Sequence, residues 1–597
     1  MNLRPEDRTV GKENFCAAIG SSRVRRGFLN KQIQQALASK KGLGAYYFGY
    51  GASVPSPVRV GVIGTGDEGS VLIGALNPAF VEVRAIADIR PYNQWRAFNG
   101  DWSSGSALKA RPGLKKIYGW TDEQARQNVK VYKDYRELIA NAGQDGVEAV
   151  IIALPLHLHA PAAIAAMRAG LHVLTEKLMG HSVHECKEMA RVAAATRKHL
   201  ATGHQRHYNI LYDCAVDMIR RGALGQLHYI RAQWHRGNLP GTDSWQQPMP
   251  PEIKPDDPQA GRIREQLKQF REALVAEEKK GAKADLAAIA RLKTLVDQTK
   301  AQLEDAILAE EAKKYGYEDK DFLGADGKVV YHRPAAEELI RWRLWERTGG
   351  GLMAELGSHQ LDAASIFIAA AHGGKKQYPL SVVAAANRPL FPLDRETEDH
   401  VYCIFDFPAP DYAPNDPVAA RRKIGVQYAS INGNGFGGYG ETVLCTEGTL
   451  ILERELEALL FRTSDTDKKI KIGDVKDAIT GKNRPGLQLS DDGDEASAAV
   501  ARVAMLEAGR GYAEQIEHWA FCIRENPEVQ EPEKPEERTI LLPRCGPKVA
   551  MGDAVIALTT NLAARQGKRI VFKKEWFDPD SDETPEGVAP DLARYES

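Results

Sequence analysis

Apolar runs alternate with helix-like segments through the first part of the chain. Each run is short, and an alanine-rich, helix-like segment at 161–169 separates the last two. Strands that alternate with helices in this way are typical of a parallel sheet covered by helices on both faces. We therefore predict an α/β, doubly wound Rossmann domain over residues 58–178, after an N-terminal arm at 1–57. The four predicted strands are 58–63, 81–87, 147–154 and 171–175.

The remainder of the chain, residues 179–597, has a different pattern. Alternating and β-branched runs follow one another, several of them with no helix between, which favours an open, largely antiparallel sheet. Helices at 349–370 and 511–524 are expected to pack on this sheet, which gives a C-terminal α+β domain. A polar stretch at 463–499 predicts a surface connector. The predicted strands are 227–234, 381–386, 401–407, 424–431 and 449–453.

An insertion at 256–314 interrupts the second domain with a heptad-like rhythm. Ile263, Leu267, Phe270 and Leu274 are spaced by four, three and four residues, and a similar rhythm continues from Ile289. The pattern predicts two antiparallel helices in a coiled-coil hairpin. The hairpin is either an oligomerisation or lid element, or a solvated insertion that stabilises only itself.

Composition limits the function classes. A net charge of −1 argues against a nucleic-acid partner or a polybasic membrane partner, and no apolar run reaches the roughly 18 residues of a membrane span. The seven cysteines lie singly along the chain, so neither a metal site nor a disulfide framework is predicted. Arg25 and Arg26 are like the core of a twin-arginine signal, but polar residues interrupt the segment after them. We expect a cytoplasmic protein, with periplasmic export as the alternative.

The first apolar run leads directly into a glycine-spaced turn. Gly64, Gly66 and Gly69 allow a tight turn, close approach to a pyrophosphate and close packing of the next helix. The second strand ends at Asp88, 19 residues after Gly69, where a carboxylate can bind the ribose hydroxyls of a dinucleotide. A carboxylate there favours NAD, whereas the nearby Arg90 leaves NADP as the less favoured cofactor.

Three side chains are candidates for chemistry on an alcohol. Lys177 follows the strand at 171–175, beyond the carboxyl ends of the sheet where ligands bind, and it can stabilise an alkoxide. A histidine ordinarily titrates near neutral pH, so His359 is expected to accept a hydroxyl proton, and Glu355 lies four residues before it on the same predicted helix face. The alternatives are a surface lysine and a core histidine, with a metal half-site less favoured because no third ligand is clustered nearby.

Four motifs in this order resemble the Gfo/Idh/MocA oxidoreductase family. They are the glycine turn, the segment from Pro155 to His159, Glu176-Lys177, and the segment from Gly349 to Asp362. The family's Glu-Lys-Pro motif falls on Glu176-Lys177 with leucine in place of proline, and its Asp-x-x-x-His pair falls on Glu355 and His359.

The resemblance implies roles for individual residues. Lys177, Glu355 and His359 are the expected catalytic group, with His359 as general base. The expected substrate contacts are Lys177, His204, Arg206, Trp345, Glu355 and His359. The expected cofactor contacts are Gly64, Thr65, Gly66, Asp67, Glu68, Gly69, Asp88, Arg90, Leu154, His159, Glu176, Lys177 and Arg206.

The function implied is hydride transfer between a nicotinamide cofactor and a sugar, polyol or related cyclic hydroxyl compound. One alternative is an NAD-dependent glycosidase that oxidises its sugar transiently, eliminates the substituent and reduces the product again. The other is a nucleotide-binding scaffold or sensor without catalysis. Relatives of this kind are commonly dimers or tetramers, so a homo-oligomer is expected.

Overall fold

The computed structural model describes residues 43–51, 53–455, 457–462, 470–476, 483–489, 510–532 and 535–587. Most of the arm at 1–57 and part of the polar stretch at 463–499 lie outside these residues. Within the described part of the chain, no helix is both long and apolar enough to cross a membrane.

The first unit is a six-stranded parallel sheet in the order β3-β2-β1-β4-β5-β6. This order, with helices between consecutive strands, is the Rossmann arrangement, so the predicted fold class is confirmed. The last strand lies after residue 178, so the first unit extends to at least Thr202 and beyond the predicted boundary. The strands are β1 Val58–Ile63, β2 Val81–Ala87, β3 Lys130–Tyr132, β4 Ala149–Ile152, β5 His172–Thr175 and β6 Leu200–Thr202.

Helices follow the strands of the first unit. Strand β4 reads as an unbroken apolar run because both faces of the sheet are covered and all four of its residues are buried. The helices are α1 Leu43–Phe48, α2 Asp67–Ala75, α3 Pro91–Asn99, α4 Gly105–Ala110, α5 Leu114–Tyr118, α6 Asp122–Asn128, α7 Tyr135–Asp145, α8 His159–Arg168 and α9 Val183–Thr196.

The second unit contains an eight-stranded sheet in the order β15-β14-β13-β7-β12-β11-β10-β18. Only β7 and β12 pair in parallel, so the predicted antiparallel character is confirmed. The strands are β7 Leu227–His235, β8 Lys320–Leu323, β9 Val329–Arg333, β10 Ser381–Asn387, β11 His400–Pro408, β12 Lys423–Ile431, β13 Tyr439–Cys445, β14 Gly448–Glu453, β15 Glu457–Arg462, β16 Ile470–Lys476, β17 Asn483–Leu489 and β18 Ile570–Val571.

Two smaller sheets accompany it. Strands β8 and β9 pair just after the insertion, and β16 and β17 pair where the polar stretch predicted a connector without strands. The remaining helices are α10 Ile210–Arg220, α11 Arg262–Glu278, α12 Leu286–Glu304, α13 Leu308–Glu311, α14 Ala335–Ile340, α15 Glu346–Gly349, α16 Ser358–Ala371, α17 Tyr512–Glu525, α18 Pro535–Leu541 and α19 Pro547–Gln566.

Short helical turns complete the secondary structure. A π-helical turn, Met353–Gly357, leads directly into α16. The 3₁₀ turns are Leu156–Leu158, Gln205–Tyr208, Gly281–Lys283, Asp305–Ile307, Ala312–Tyr315, Trp342–Leu344, Ala419–Arg421 and Lys574–Phe577.

Helix packing on the two sheets differs in one respect from the prediction. Helices α16 and α19 cover the eight-stranded sheet, as α16 contacts β7 and α19 contacts β10. Helix α17 instead packs on the first unit, where Ile516 and Trp519 share an apolar cluster with Val58 and Val60 of β1. The expectation that this helix packs on the second sheet was wrong, because its apolar face is complementary to the amino-terminal strand.

The insertion forms the predicted helical hairpin and docks on the first unit. Helices α11 and α12 pack against each other, and α12 also packs on α3. The side-chain oxygen of Gln298 accepts a hydrogen bond from the Trp102 backbone N–H at 2.8 Å. At the end of α12, Asp305 pairs with Arg90 at 2.9 Å. The hairpin is therefore anchored beside the carboxyl end of β2.

Candidate functional site

A cavity of about 350 Å³ lies between the two units, at the carboxyl ends of the parallel strands. Because β1, β2, β4 and β5 run in parallel, the turns that follow them meet at this edge of the sheet. The first unit contributes Gly64, Gly66, Asp67, Glu68, Asp88, Arg90, Leu154, His159, Glu176 and Lys177, all of them predicted site residues. The second unit contributes Trp234, Arg236, Trp342, Arg343, Glu355, His359, Arg510 and Tyr512.

The three glycines of the turn have distinct steric roles. Gly64 has φ +82°, and a Cβ there would lie 2.4 Å from the carbonyl oxygen of Ala153. At Gly69, a Cβ would lie 2.0 Å from the carbonyl oxygen of Gly64, so the helix packs directly on the turn. At Gly66, the only atom within 4 Å of a Cβ would be the side-chain nitrogen of Asn93, 3.6 Å away. Gly66 therefore leaves open space at the cavity wall.

The first turn of α2 is available to an anion. Its N-cap is Gly66, which has no side chain to accept hydrogen bonds from the first N–H groups. These N–H groups and the helix dipole together suit a pyrophosphate. The first turn contains two acids, Asp67 and Glu68. Asp67 is paired with Arg96 at 2.7 Å, which offsets its negative charge, and burial raises the pKa of Glu68. The turn thus fits the phosphates of a dinucleotide.

Asp88 is fixed at the end of β2. Its carboxylate accepts hydrogen bonds from the backbone N–H of Thr65 at 2.8 Å and of Arg90 at 2.9 Å. Thr65 itself is fully buried and supports this carboxylate without lining the cavity. The guanidinium of Arg90 donates to the Asp305 carboxylate through Nε and Nη2, at 3.0 and 2.9 Å. A carboxylate and a neutralised arginine therefore lie at the carboxyl end of β2, where the sequence predicts the ribose.

Lys177 and Glu355 meet across the cavity. The Lys177 ammonium donates to the Glu355 backbone carbonyl at 2.7 Å and lies 3.6 Å from its carboxylate. Arg343 donates to the same carboxylate at 2.8 Å. Burial opposes ionisation of Glu355, but the charges of Lys177 and Arg343 hold its pKa well below the usual range. The ammonium is thus oriented by a carboxylate that stays ionised.

His359 lies on the same wall as Glu355. The wider π-helical turn before α16 contains Glu355, and both side chains reach the cavity; such turns are frequent at functional sites. Burial, together with the charges of Lys177 and Arg206, lowers the pKa of His359 well below its ordinary value. Its Nδ1 is buried and makes no hydrogen bond to any residue that the structure describes. The ring is therefore a neutral imidazole with an unused nitrogen.

Two carboxylates lie close to Lys177. Burial and the neighbouring charge of Glu68 raise the pKa of Glu176 to about 8. The pKa of Glu68 is also raised, first by burial. Like charges that approach in a buried site cannot both ionise easily, so this pair retains a proton at neutral pH.

His159 ties two strand ends together. Its Nδ1 lies 2.7 Å from the carbonyl oxygen of Leu178, and its Nε2 lies 2.8 Å from that of Leu154. It therefore fixes the turns after β4 and β5, including the position of the neighbouring Lys177.

Three residues expected to touch substrate do not line the cavity, namely Arg206, Trp345 and, in a separate cluster, His204. Arg206 is fully buried, pairs with Glu441 and Glu455 at 3.0 and 2.9 Å, and donates to the His359 carbonyl at 2.6 Å. It therefore supports His359 from behind. Trp345 is fully buried, and the guanidinium of Arg333 lies 5.0 Å from its ring centroid.

His204 belongs to a buried cluster behind the cavity. Its ring, Asp362 and Asp553 have ligand-type atoms within 4.8 Å of one another, a geometry that can hold a metal ion. The ammonium of Lys376 lies 2.7 Å from Asp553 and already supplies a positive charge there. Among the residues that the structure describes, this is the one group of three such side chains.

Several cavity residues had no signal of their own in the sequence. Arg343, Arg510 and Tyr512 reach the cavity from segments far apart along the chain. Gln247 and Tyr317 come from the segments that flank the insertion, and Gln247 donates to Asp67 at 2.7 Å. Only the three-dimensional arrangement identifies them, because no local spacing links them to the glycine turn.

Comparisons with known proteins support the Rossmann assignment of the first unit. Residues 58–204 match the model of the Gfo/Idh/MocA family, described as an oxidoreductase family with an NAD-binding Rossmann fold. The chain is 32% identical over 180 residues to a glycosyl hydrolase family 109 protein of Stenotrophomonas maltophilia, covering 29% of this chain and 35% of that protein. It is 28% identical over 231 residues to an alpha-N-acetylgalactosaminidase of Shewanella oneidensis, covering 38% of this chain and 46% of that protein. The alignments thus span less than half of these relatives.

Solved structures with similar coordinates include two dehydrogenases. An inositol dehydrogenase homologue from Azotobacter vinelandii, solved with NADH and myo-inositol, has a TM-score of 0.48 and 13% identity, covering 87% of this chain and 98% of that chain. A levoglucosan dehydrogenase, solved with NADH and levoglucosan, has a TM-score of 0.46 and 15% identity, covering 87% and 100%.

Proposed function

We propose, from the match of residues 58–204 to the Gfo/Idh/MocA oxidoreductase family model, that the protein oxidises a hydroxyl group of a sugar or polyol with NAD. The observation that carries the proposal is one shared cavity. Lys177, Glu355 and His359 line it together with Gly66 of the nucleotide-binding turn. Groups for alcohol chemistry and groups for dinucleotide binding are thus neighbours.

Three cavity residues have separate roles in the oxidation of the alcohol. Bound NAD supplies the hydride acceptor. His359 takes the hydroxyl proton, since its imidazole is neutral and has an unused nitrogen. Lys177 stabilises the negative charge that develops on the oxygen, and the Glu355 carbonyl and carboxylate orient the ammonium.

The cofactor preference follows from the ribose end. Asp88 presents a carboxylate there, and the positive charge of Arg90 is already balanced by Asp305. A 2′-phosphate would be repelled by the Asp88 carboxylate, and Arg90 would not be free to pair with it. The preferred cofactor is therefore NAD rather than NADP.

A second candidate function is a glycosidase that uses NAD without net redox change. The insertion and its flanks support it, because Gln247 and Tyr317, on either side of the insertion, line the cavity and the hairpin is docked beside β2. Such an arrangement favours a dinucleotide that stays bound between turnovers. The similarity to glycosyl hydrolase family 109 proteins also supports it. Release of free sugar from a glycoside, with retained dinucleotide and no accumulated NADH, distinguishes it from dehydrogenation.

The test compares two lysines that line the same cavity. Lys177→Met is expected to lower turnover on the order of 100-fold or more. The variant has no ammonium to stabilise the negative charge that develops on the alcohol oxygen as its proton leaves. NAD affinity, measured by fluorescence titration, should change little. Turnover is followed at 340 nm and by sugar release, with a panel of sugars, polyols and glycosides.

The matched control is Lys133→Met. Lys133 also lines the cavity, but its ammonium pairs with Glu311 at 3.4 Å on the insertion. This variant should keep its turnover. Full turnover in the Lys177→Met variant would remove Lys177 from the proposed mechanism.

A further inference from the structure

Arg236 lies at the cavity wall on the side of the second unit. It follows β7 directly, and its backbone N–H donates to the Ile431 carbonyl at 2.9 Å. The backbone position is therefore fixed by the central pair of strands, β7 and β12. The side chain lines the cavity together with Glu355 and His359.

The Arg236 guanidinium has no carboxylate partner in the part of the chain that the structure describes. No hydrogen bond or ion pair joins its guanidinium to a described residue, although the other arginines at the cavity wall each have an acidic partner. The carboxylates of Glu355 and Asp243 act on its charge from farther away, and each is already paired, with Arg343 at 2.8 Å and with Arg395 at 2.6 Å. Burial lowers the pKa of Arg236, so its charge lies in a partly dehydrated position. The partnered arginines are Arg90 with Asp305 at 2.9 Å, Arg96 with Asp67 at 2.7 Å, Arg136 with Asp134 at 3.5 Å, Arg343 with Glu355 at 2.8 Å and Arg510 with Glu455 at 3.2 Å.

Two tryptophans define the surroundings of this charge. The guanidinium carbon lies 5.7 Å from the ring centroid of Trp234 and 5.6 Å from that of Trp245. The Trp234 centroid also lies 5.4 Å from that of His359. The unpaired cation and the proposed base therefore adjoin the same indole ring. A ligand that packs on Trp234 can present one group to each.

We infer that the sugar substrate carries an oxyanion substituent, a carboxylate or a sulfate ester, and that Arg236 binds it. This inference rests on the proposed function. A guanidinium offers a planar pair of N–H donors that matches two oxygens of a carboxylate or sulfate. A partly dehydrated cation is costly without a close ion-pair partner, and the anion supplies that partner when it binds. Arg236 is then a specificity-determining residue, while hydride and proton transfer stay at Lys177 and His359.

The test uses matched saccharides and the full, NAD-loaded protein. Galactosides, glucosides and N-acetylgalactosaminides are each compared as the neutral sugar, the uronic acid and the 6-sulfate. Titration calorimetry gives binding without requiring turnover, and NADH formation and sugar release give kcat/KM. For one sugar configuration, we expect the uronic acid or the sulfate to exceed the neutral sugar at least about tenfold in binding affinity and in kcat/KM. A charge-assisted hydrogen bond predicts a difference of this size. The preferred anion identifies carboxylate or sulfate as the natural group.

Two substitutions assign the preference to Arg236. Arg236→Gln should lower kcat/KM for the anionic sugar at least tenfold more than for the neutral one, whereas Arg236→Lys should restore part of the difference because it keeps the charge. Arg136→Gln is the control, since Arg136 lines the cavity near Asp134 and should not change the anion preference. Unchanged NAD affinity and melting temperature verify that each variant is folded.

The outcomes separate the inference from the proposed function. Equal or better use of neutral sugars overturns the inference and leaves the proposed function standing. An anion preference that survives in Arg236→Gln also overturns it. Absence of binding and turnover with every saccharide, neutral or anionic, overturns the proposed function and the inference together.

Discussion

At the scale of single residues, the glycine turn separates folding from binding. Gly69 lies against the Gly64 carbonyl, whereas Gly66 faces open space at the cavity. We therefore expect Gly66→Val to keep a near-wild-type melting temperature but to weaken NAD binding on the order of 100-fold, because its side chain fills the pyrophosphate position. Gly69→Ala should instead destabilise the fold, by roughly 1–3 kcal/mol, as overpacking does.

Thermal melts and NAD titrations of the two variants check this division. A Gly66→Val protein that binds NAD normally would contradict the assignment of the pyrophosphate to this turn. The wild-type protein and a conservative Gly66→Ala variant provide the graded control, since a single methyl group meets only Asn93.

The sequence could predict the catalytic candidates but not what surrounds them. Lys177, Glu355 and His359 could be predicted because each lies in a local motif, and they do line one cavity; their roles stay predictions. Arg236 could not be ranked above its neighbours, since its importance lies in a missing partner. Absence of a direct ion pair depends on all the segments that pack nearby, and one local pattern does not contain them.

At the scale of elements, periodicity located the strands well and packing partners less well. The predicted run at 401–407 became β11, His400–Pro408, because its alternation reflects one buried and one exposed face. For α17, the amphipathic pattern predicts the helix but does not predict which surface the helix covers. Any complementary apolar face satisfies such a pattern, so the choice between the two sheets required the tertiary structure.

The hairpin insertion has a consequence for cofactor choice. Asp305, which follows α12, neutralises Arg90 beside the ribose end of the cavity. In the Asp305→Asn variant, Arg90 keeps its charge without a counter-charge, and a 2′-phosphate becomes its best partner. We expect the ratio of NADP to NAD affinity to rise about tenfold, which corresponds to 1.4 kcal/mol. Fluorescence titrations with both dinucleotides measure the ratio.

A second carboxylate on the insertion provides the control for this experiment. Glu311 pairs with Lys133 at 3.4 Å and does not contact Arg90. Glu311→Gln should leave the ratio unchanged. An unchanged ratio in Asp305→Asn as well would show that Arg90 does not reach the 2′ position.

At the scale of the whole molecule, two sets of buried groups act on stability in opposite directions. Burial lowers the pKa of His204 to about 4 and that of His518 to about 3. The unfolded chain protonates these histidines near pH 6.5, so their contribution to stability is lost as the pH falls below that value. Burial raises the pKa of Glu441 and Glu514 to about 7. The glutamates are ionised in the unfolded chain above pH 4.5, so they destabilise the fold as the pH rises toward 7.

Glu176 extends the alkaline decline to higher pH than Glu441 and Glu514, because burial and Glu68 raise its pKa to about 8. Above pH 6.5 the buried histidines are neutral in both states and no longer oppose it. Between pH 6.5 and 8, Glu176 alone should cost roughly 2 kcal/mol of folding free energy. Melting temperatures of the dinucleotide-free protein should therefore fall across this interval, and Glu176→Gln should flatten the decline. Equal slopes in wild type and variant would mean that the proton is not held at this carboxyl pair, and a rising wild-type curve would reverse the sign of the argument.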